Sequence, residues 1–255
     1  MSEELILVII FVAGILTGFI NTLAGSGSLI SLPVLMFAGL PANIANGTNR
    51  IGILLQGTVA LFTFRKSKIF KWTDGTDIIL ISCAGGVLGA FFALNINKEV
   101  LEKFIGGLLL FMMVLMIIKP EKWVKAKSEK PKSMPSIIRW IVFFAIGVYG
   151  GFIQAGVGFF LLTGLVLVCG YDLKKANALK ILITTAFTVF ALPVFIMNNQ
   201  INWTYGLILA AGSSTGAFIA AKLAIKKGAQ FIRIFLLVII FLASLKLLNV
   251  YKLFY

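Results

Sequence analysis

Two short stretches rich in glycine have the composition of an anion-binding site. Residues 24–28 (AGSGS) interrupt a long apolar run, and residues 155–158 (AGVG) do the same in the second half. Glycine frees the backbone to leave the helix, and the exposed N–H groups at the start of the next helix favour an anion. Two broken segments in corresponding halves indicate a transporter site near the bilayer midplane. The alternative is that these glycines serve only close helix packing.

An amide and a cation follow each glycine break. Asn49 and Arg50 lie three and four residues after Asn46, so both share a helical face with it. Amides with a fixed cation can enclose an oxyanion. The alternative is that the cations lie at the interface and reach the lipid headgroups. The candidate anion-binding residues are Asn21, Gly25, Ser26, Gly27, Ser28, Asn46, Asn49, Arg50, Gln154, Gly156, Gly158, Asn177, Lys180 and Thr184.

The residue types that are missing restrict the chemistry further. The chain has no histidine, and none of its nine Asp and Glu residues lies in the middle of an apolar segment. The membrane midplane therefore has no carboxylate for a coupling proton or Na⁺, as many carriers require. No acid lies near Lys180, so we expect a substrate anion to be its partner. We expect no metal site, no cofactor and no enzymatic activity.

The composition predicts an all-α polytopic membrane protein. The 255 residues are 60% hydrophobic and only 13% charged, far from the average of soluble domains. About ten hydrophobic segments are present, and they form either ten spans or eight spans plus two re-entrant hairpins. These segments are Leu5–Leu23, Leu29–Leu40, Ile51–Phe64, Ile78–Ile96, Phe104–Ile118, Ile137–Ile153, Phe159–Cys169, Ile181–Met197, Tyr205–Ile225 and Ile232–Leu248.

The two halves of the chain repeat each other. An offset of 131 residues pairs Gly25 with Gly156, Asn46 with Asn177 and Trp72 with Trp203. Each half has five segments, an odd number, so the second repeat must be inverted in the membrane. We therefore divide the chain into a first repeat (residues 1–118), a basic linker (residues 119–136) and a second repeat (residues 137–255).

The basic residues predict the orientation. With the N-terminus outside and ten crossings, eighteen of the 23 Lys and Arg residues fall in cytoplasmic loops, seven of them near the linker. The positive-inside rule then places both termini outside the plasma membrane and the linker in the cytoplasm. The net charge of +14 is thus a feature of membrane topology, and we expect the lipid bilayer and a small anion as partners, with no nucleic acid.

Four motifs carry a resemblance to the sulfite exporter TauE/SafE family. They are AGSGSLISLPVL, GLPANIANGTNRIG, GGFIQAGVGFFL and YDLKKANALK, and the resemblance extends over nearly the whole chain. Ser26 and Ser28 depart from the more glycine-rich form of the first motif. The resemblance implies transport of small sulfur-containing or organic anions, such as sulfite, sulfonates or sulfoacetate. We therefore expect a secondary transporter or exporter of such anions. The alternative is a membrane scaffold that binds partners without transport.

Overall fold

A computed structural model describes residues 2–66, 69, 74–118 and 134–247, except the side chains of 98, 109–110, 112–118 and 228–247. All regular secondary structure in these ranges is α-helical. The helices are α1 (Glu3–Ala24), α2 (Ser28–Phe37), α3 (Ala42–Arg65), α4 (Thr76–Leu94), α5 (Lys98–Ile118), α6 (Ser136–Phe152), α7 (Val157–Leu167), α8 (Leu173–Met197) and α9 (Trp203–Leu247).

Several helices have the length and apolar composition of membrane spans. Four described segments satisfy both conditions: α1, α4, α8 and Trp203–Lys227 of α9. Large apolar side chains also point away from the core, among them Val8, Leu80 and Phe190. An apolar exterior of this kind matches a lipid environment, so the chain is a multi-pass membrane protein. The helices α2 and α7 have only 10 and 11 residues, about half of the length needed to cross the hydrocarbon core.

Two pairs of helices pack together across the two halves of the chain. The first helix of each half packs against the fourth of the other, α1 on α9 and α4 on α6. Glycines allow this close approach: a Cβ atom on Gly18 would lie 1.9 Å from the Ser213 carbonyl oxygen, and one on Gly151 would lie 1.9 Å from that of Gly86. Small residues at such contacts are typical of membrane helices.

The third helices of the two halves, α3 and α8, contact each other and hold most of the buried polar residues, including both buried cations. Helix α8 begins directly after Asp172, whose carboxylate accepts hydrogen bonds from the N–H groups of Lys174 and Lys175 at 3.0 Å. This is an N-cap, which satisfies backbone donors that the helix leaves free. Helix α3 begins after Pro41, and Gly39 precedes it with a φ of +95° that favours glycine.

The predicted separation of the last two segments is wrong. The structure has one continuous helix, α9, over Trp203–Leu247, where the hydrophobic pattern predicts two segments, Tyr205–Ile225 and Ile232–Leu248. Residues 226–231 (KKGAQF) contain no proline and a single glycine, so nothing forces the backbone out of the helix. The placement of the C-terminus outside required a turn at this point and loses its basis. Residues 119–133 of the predicted linker lie outside the described residues.

Candidate functional site

The two glycine breaks contact each other. Gly25 ends α1 with a φ of +78°, and Gly156 precedes α7 with a φ of +70°. A Cβ atom on Gly25 would lie 2.2 Å from the carbonyl carbon of Gly158. No side chain fits between the two segments, so the end of α1 and the start of α7 meet backbone to backbone in the interior.

Lys180 of α8 binds the C-terminal end of α1. Its ammonium group donates to the carbonyl oxygens of Asn21 and Thr22, both at 3.1 Å, and to Oδ1 of Asn177 at 2.7 Å. The last carbonyl groups of a helix lack partners within the helix and carry a partial negative charge. A cation from the other half of the chain therefore satisfies the end of the broken helix α1.

Arg50 of α3 does the same at the end of α6. Its Nη1 donates to the Gly150 carbonyl oxygen at 3.3 Å, and Nη2 donates to those of Gly151 and Phe152. The guanidinium group also lies 4.2 Å from the ring centroid of Phe195, which is within cation–π range. The Nε–H of Arg50 is buried without a partner, so the group keeps an unused donor.

Both cations are deeply buried. The side chain of Arg50 is 0% exposed and that of Lys180 is 2% exposed, so the interpretation that they reach the lipid headgroups is wrong. Among the described residues, neither has a carboxylate within ion-pair distance. The carbonyl and amide partners of Lys180 were not predicted, because sequence spacing does not show which carbonyl groups a helix end leaves free.

A small cavity lies where α1, α3, α7 and α8 meet. Its volume is about 20 Å³, enough for one water molecule, which needs roughly 10–15 Å³. An oxyanion of four or more heavy atoms does not fit in this conformation. The lining residues are Asn21, Thr22, Ile53, Gln56, Gly57, Gly158, Lys180, Ile181, Thr184 and Thr185.

The structure brings only some of the predicted residues to this cavity. Asn21, Gly158, Lys180 and Thr184 line it, and Gly25 lies behind Gly158. Ser26, Gly27, Ser28 and Gly156 are buried in the two breaks without lining it, and Asn177 binds the Lys180 ammonium group.

The remaining predicted residues belong to the surroundings of Arg50 and of α8. Asn46 donates to the Phe152 carbonyl oxygen at 2.8 Å, and Asn49 accepts from the Ser31 hydroxyl at 2.6 Å. Gln154 donates to the hydroxyl of Thr188. The amides of Asn46, Asn49, Asn177 and Gln154 each keep one buried atom without a partner, so both polar clusters retain unused hydrogen-bonding capacity.

Three polar residues of the cavity were missed from the sequence, namely Thr22, Gln56 and Thr185. Gln56 carried a usable signal. It lies inside an apolar segment and seven residues after Asn49, so it continues the same helical face. Polar residues within a membrane segment indicate function. Thr22 and Thr185 carried no comparable signal, since threonine is common in membrane helices.

The fold and the buried cations thus define a polytopic membrane protein with a polar interior built around two broken helices. The family model described as "Sulfite exporter TauE/SafE" matches residues 10–247, and the chain belongs to this family. It is therefore a TauE/SafE membrane transporter.

The curated relatives carry the same kind of name. A Sinorhizobium protein named "Probable membrane transporter protein ORF9" is 28% identical over 95% of this chain and 92% of its own length. "Probable membrane transporter protein YfcA" of Escherichia coli K12 is 27% identical over 97% and 91%. A "Probable membrane transporter protein" of Haemophilus influenzae is 26% identical over 95% and 94%. No solved structure matches the chain.

Proposed function

We propose that the protein exports small oxyanions, sulfur-containing or organic, and binds them between the two glycine breaks. The observation that carries this proposal is the pair of buried cations, Arg50 and Lys180, which have no carboxylate partner among the described residues. Buried charges without an opposite charge are costly, and they persist in membranes mainly at substrate and ion pathways.

The charges of the two cations and of the helix ends that they cap do not cancel, which argues against a purely structural role of the cations. A helix C-terminus carries about half of a negative charge, so each helix end offsets only about half of the cation bound to it. Gly158, in the first turn of α7, lines the cavity with Lys180, and the positive end of α7 adds to the surplus. The balance leaves a positive interior, which attracts an anion.

The contacts between the halves support an inverted repeat. Two contacts between the halves occur twice, with the roles of the halves reversed. The packing of α1 on α9 corresponds to that of α6 on α4. The contact of Lys180 with the end of α1 corresponds to that of Arg50 with the end of α6. An inverted repeat places its substrate site where the halves meet. We further propose that α2 and α7 are the return arms of re-entrant hairpins, because both are too short to span.

We propose, from the small size of the cavity, that this conformation is the occluded stage of a transport cycle. Substrate entry then requires the end of α1 and the start of α7 to separate, and the two glycine-packed helix pairs are suitable rigid bodies for that movement. The inside-negative potential supplies about 2.3 kcal/mol per 100 mV for each negative charge expelled. Export is therefore feasible without a coupling carboxylate in the membrane.

Flux in proteoliposomes tests the proposal. Purified protein should release preloaded sulfite or sulfonate faster than empty liposomes, and a K⁺ diffusion potential that is negative inside should accelerate release. Arg50→Gln should reduce flux by tenfold or more, whereas the control Lys222→Gln, at an exposed lysine, should not. Folded wild-type protein that moves no anion in the panel would support the scaffold alternative.

A further inference from the structure

Several hydrogen-bond donors around the cavity are used within the protein. An ammonium group has three N–H donors, and all three of Lys180 are directed at Asn21, Thr22 and Asn177. The hydroxyls of Thr184 and Thr185 donate to the carbonyl oxygens of Lys180 and Ile181 at 2.8 and 2.7 Å. These hydroxyls therefore offer the cavity only their acceptor lone pairs.

Gln56 adds an amide whose oxygen accepts no hydrogen bond. Its side chain is 2% exposed, it lines the cavity, and its Oε1 has no hydrogen-bond partner. Buried polar atoms without partners are rare in proteins, and each one calls for an explanation such as a bound ligand or water. Gln56, Thr184 and Thr185 thus form a group of acceptor oxygens on two neighbouring helices, α3 and α8.

We infer that the site selects oxyanions that carry a hydrogen-bond donor, namely a protonated monoanion or an organic monoanion with a hydroxyl group. The inference rests on the proposed function and specifies its substrate class. In this arrangement the donor of the substrate binds the Gln56 carbonyl oxygen and the threonine oxygens. The anionic oxygens face the charge of Lys180 and the N–H groups at the start of α7.

A fully deprotonated dianion fits this site poorly because it brings acceptors only. It leaves the Gln56 oxygen unsatisfied and places a second negative charge beside the threonine lone pairs. Sites that hydrogen-bond a substrate group discriminate strongly against analogues that lack it, because the buried partner is then left unpaired. Gln56 and Thr185 are therefore specificity-determining residues of the transporter.

The test compares two sulfonates of equal charge that differ by one hydroxyl group, ethanesulfonate and 2-hydroxyethanesulfonate. Both remain monoanions over the pH range used. Wild-type protein in proteoliposomes should prefer the hydroxylated sulfonate by about ten- to a hundredfold in initial flux at low concentration. Sulfite flux should fall as rising pH converts hydrogensulfite into the dianion, whereas 2-hydroxyethanesulfonate flux should remain constant.

Variants separate the site from the rest of the protein. Gln56→Met should abolish the preference for the hydroxylated sulfonate, because it should lower flux of 2-hydroxyethanesulfonate more than flux of ethanesulfonate. Gln200→Met is the matched control, because Gln200 does not line the cavity, and it should keep the preference. If Gln56→Met does not fold, Thr185→Val removes another acceptor and should lower the preference.

Three outcomes have distinct meanings. Equal wild-type flux of the two sulfonates would overturn the inference and leave the proposed anion transport standing. An unchanged preference in folded Gln56→Met and Thr185→Val would also overturn it. Absence of flux for every anion would instead contradict the proposed function, on which the inference depends.

Discussion

Replacing Gly158 by alanine tests the contact between the two breaks most directly. A Cβ atom at this position would lie 2.5 Å from the Gly25 Cα and 2.7 Å from its carbonyl oxygen, whereas ordinary contact begins near 3.4 Å. The end of α1 and the start of α7 must therefore separate by roughly 0.9 Å, the difference between the 3.4 Å of ordinary contact and the 2.5 Å to the Gly25 Cα. Overpacking of this kind costs about 1–3 kcal/mol.

The assay is thermal unfolding of purified protein in detergent, followed by flux at a temperature where all variants remain folded. For a chain of this size each kcal/mol shifts Tm by about 2–4 °C, so Gly158→Ala should lower Tm measurably and reduce flux. Gly107→Ala is the matched control: a Cβ atom there meets nothing within 4 Å, and alanine stabilises a helix by about 0.5–1 kcal/mol. Gly158→Ala with a Tm equal to that of the wild type would refute the backbone-to-backbone contact.

Three further predictions concern the Lys180 cation, a partly exposed ion pair between two helices, and the topology. Lys180→Met should destabilise the protein by about 2–5 kcal/mol, measured as Tm, because two carbonyl groups and the Asn177 oxygen lose their donor; an unchanged Tm would contradict the capping of α1. Asp77→Asn should cost less than about 1 kcal/mol, with a smaller effect at high salt, because the Arg139–Asp77 pair is partly exposed. Ser128→Cys should react with an impermeant thiol reagent only from the cytoplasmic side, and labelling of intact cells would overturn the predicted orientation.

The sequence was informative where local chemistry determines the backbone. Both glycine breaks were predicted, since glycine and a positive φ at Gly25 and Gly156 are local properties. The segment Ile181–Met197 began eight residues after the observed start of α8 at Leu173, because the lysines and the asparagine of its first turns interrupt the apolar pattern. The merger of the last two segments into α9 was missed because an apolar pattern shows where segments are hydrophobic, whereas helix continuity through residues 226–231 depends on weak propensities.

The sequence predicted many of the residues of the candidate site, but only part of how they contact each other. Arg50, Lys180 and the neighbouring amides were identified from their residue types and spacing. Their partners were not, because the free carbonyl groups at a helix end look the same in every sequence. Tertiary packing alone determines that α1 meets Lys180 and α6 meets Arg50. Gln56 was missed because it was treated as part of an apolar segment.

Each half of the chain supplies the cation that caps a broken helix of the other half, and this arrangement affects how the protein is inserted into the membrane. The Thr22 carbonyl oxygen accepts from Lys180, which the ribosome adds 158 residues later, about 8–30 s at usual elongation rates. An unpaired carbonyl group in lipid costs several kcal/mol, so α1 cannot complete its integration when it is made. Its end must remain near water or within the insertion machinery until α8 arrives. The first half therefore completes its membrane integration only after the second half has been synthesised. The two halves expressed as separate chains should resist proteolysis only when they are co-expressed.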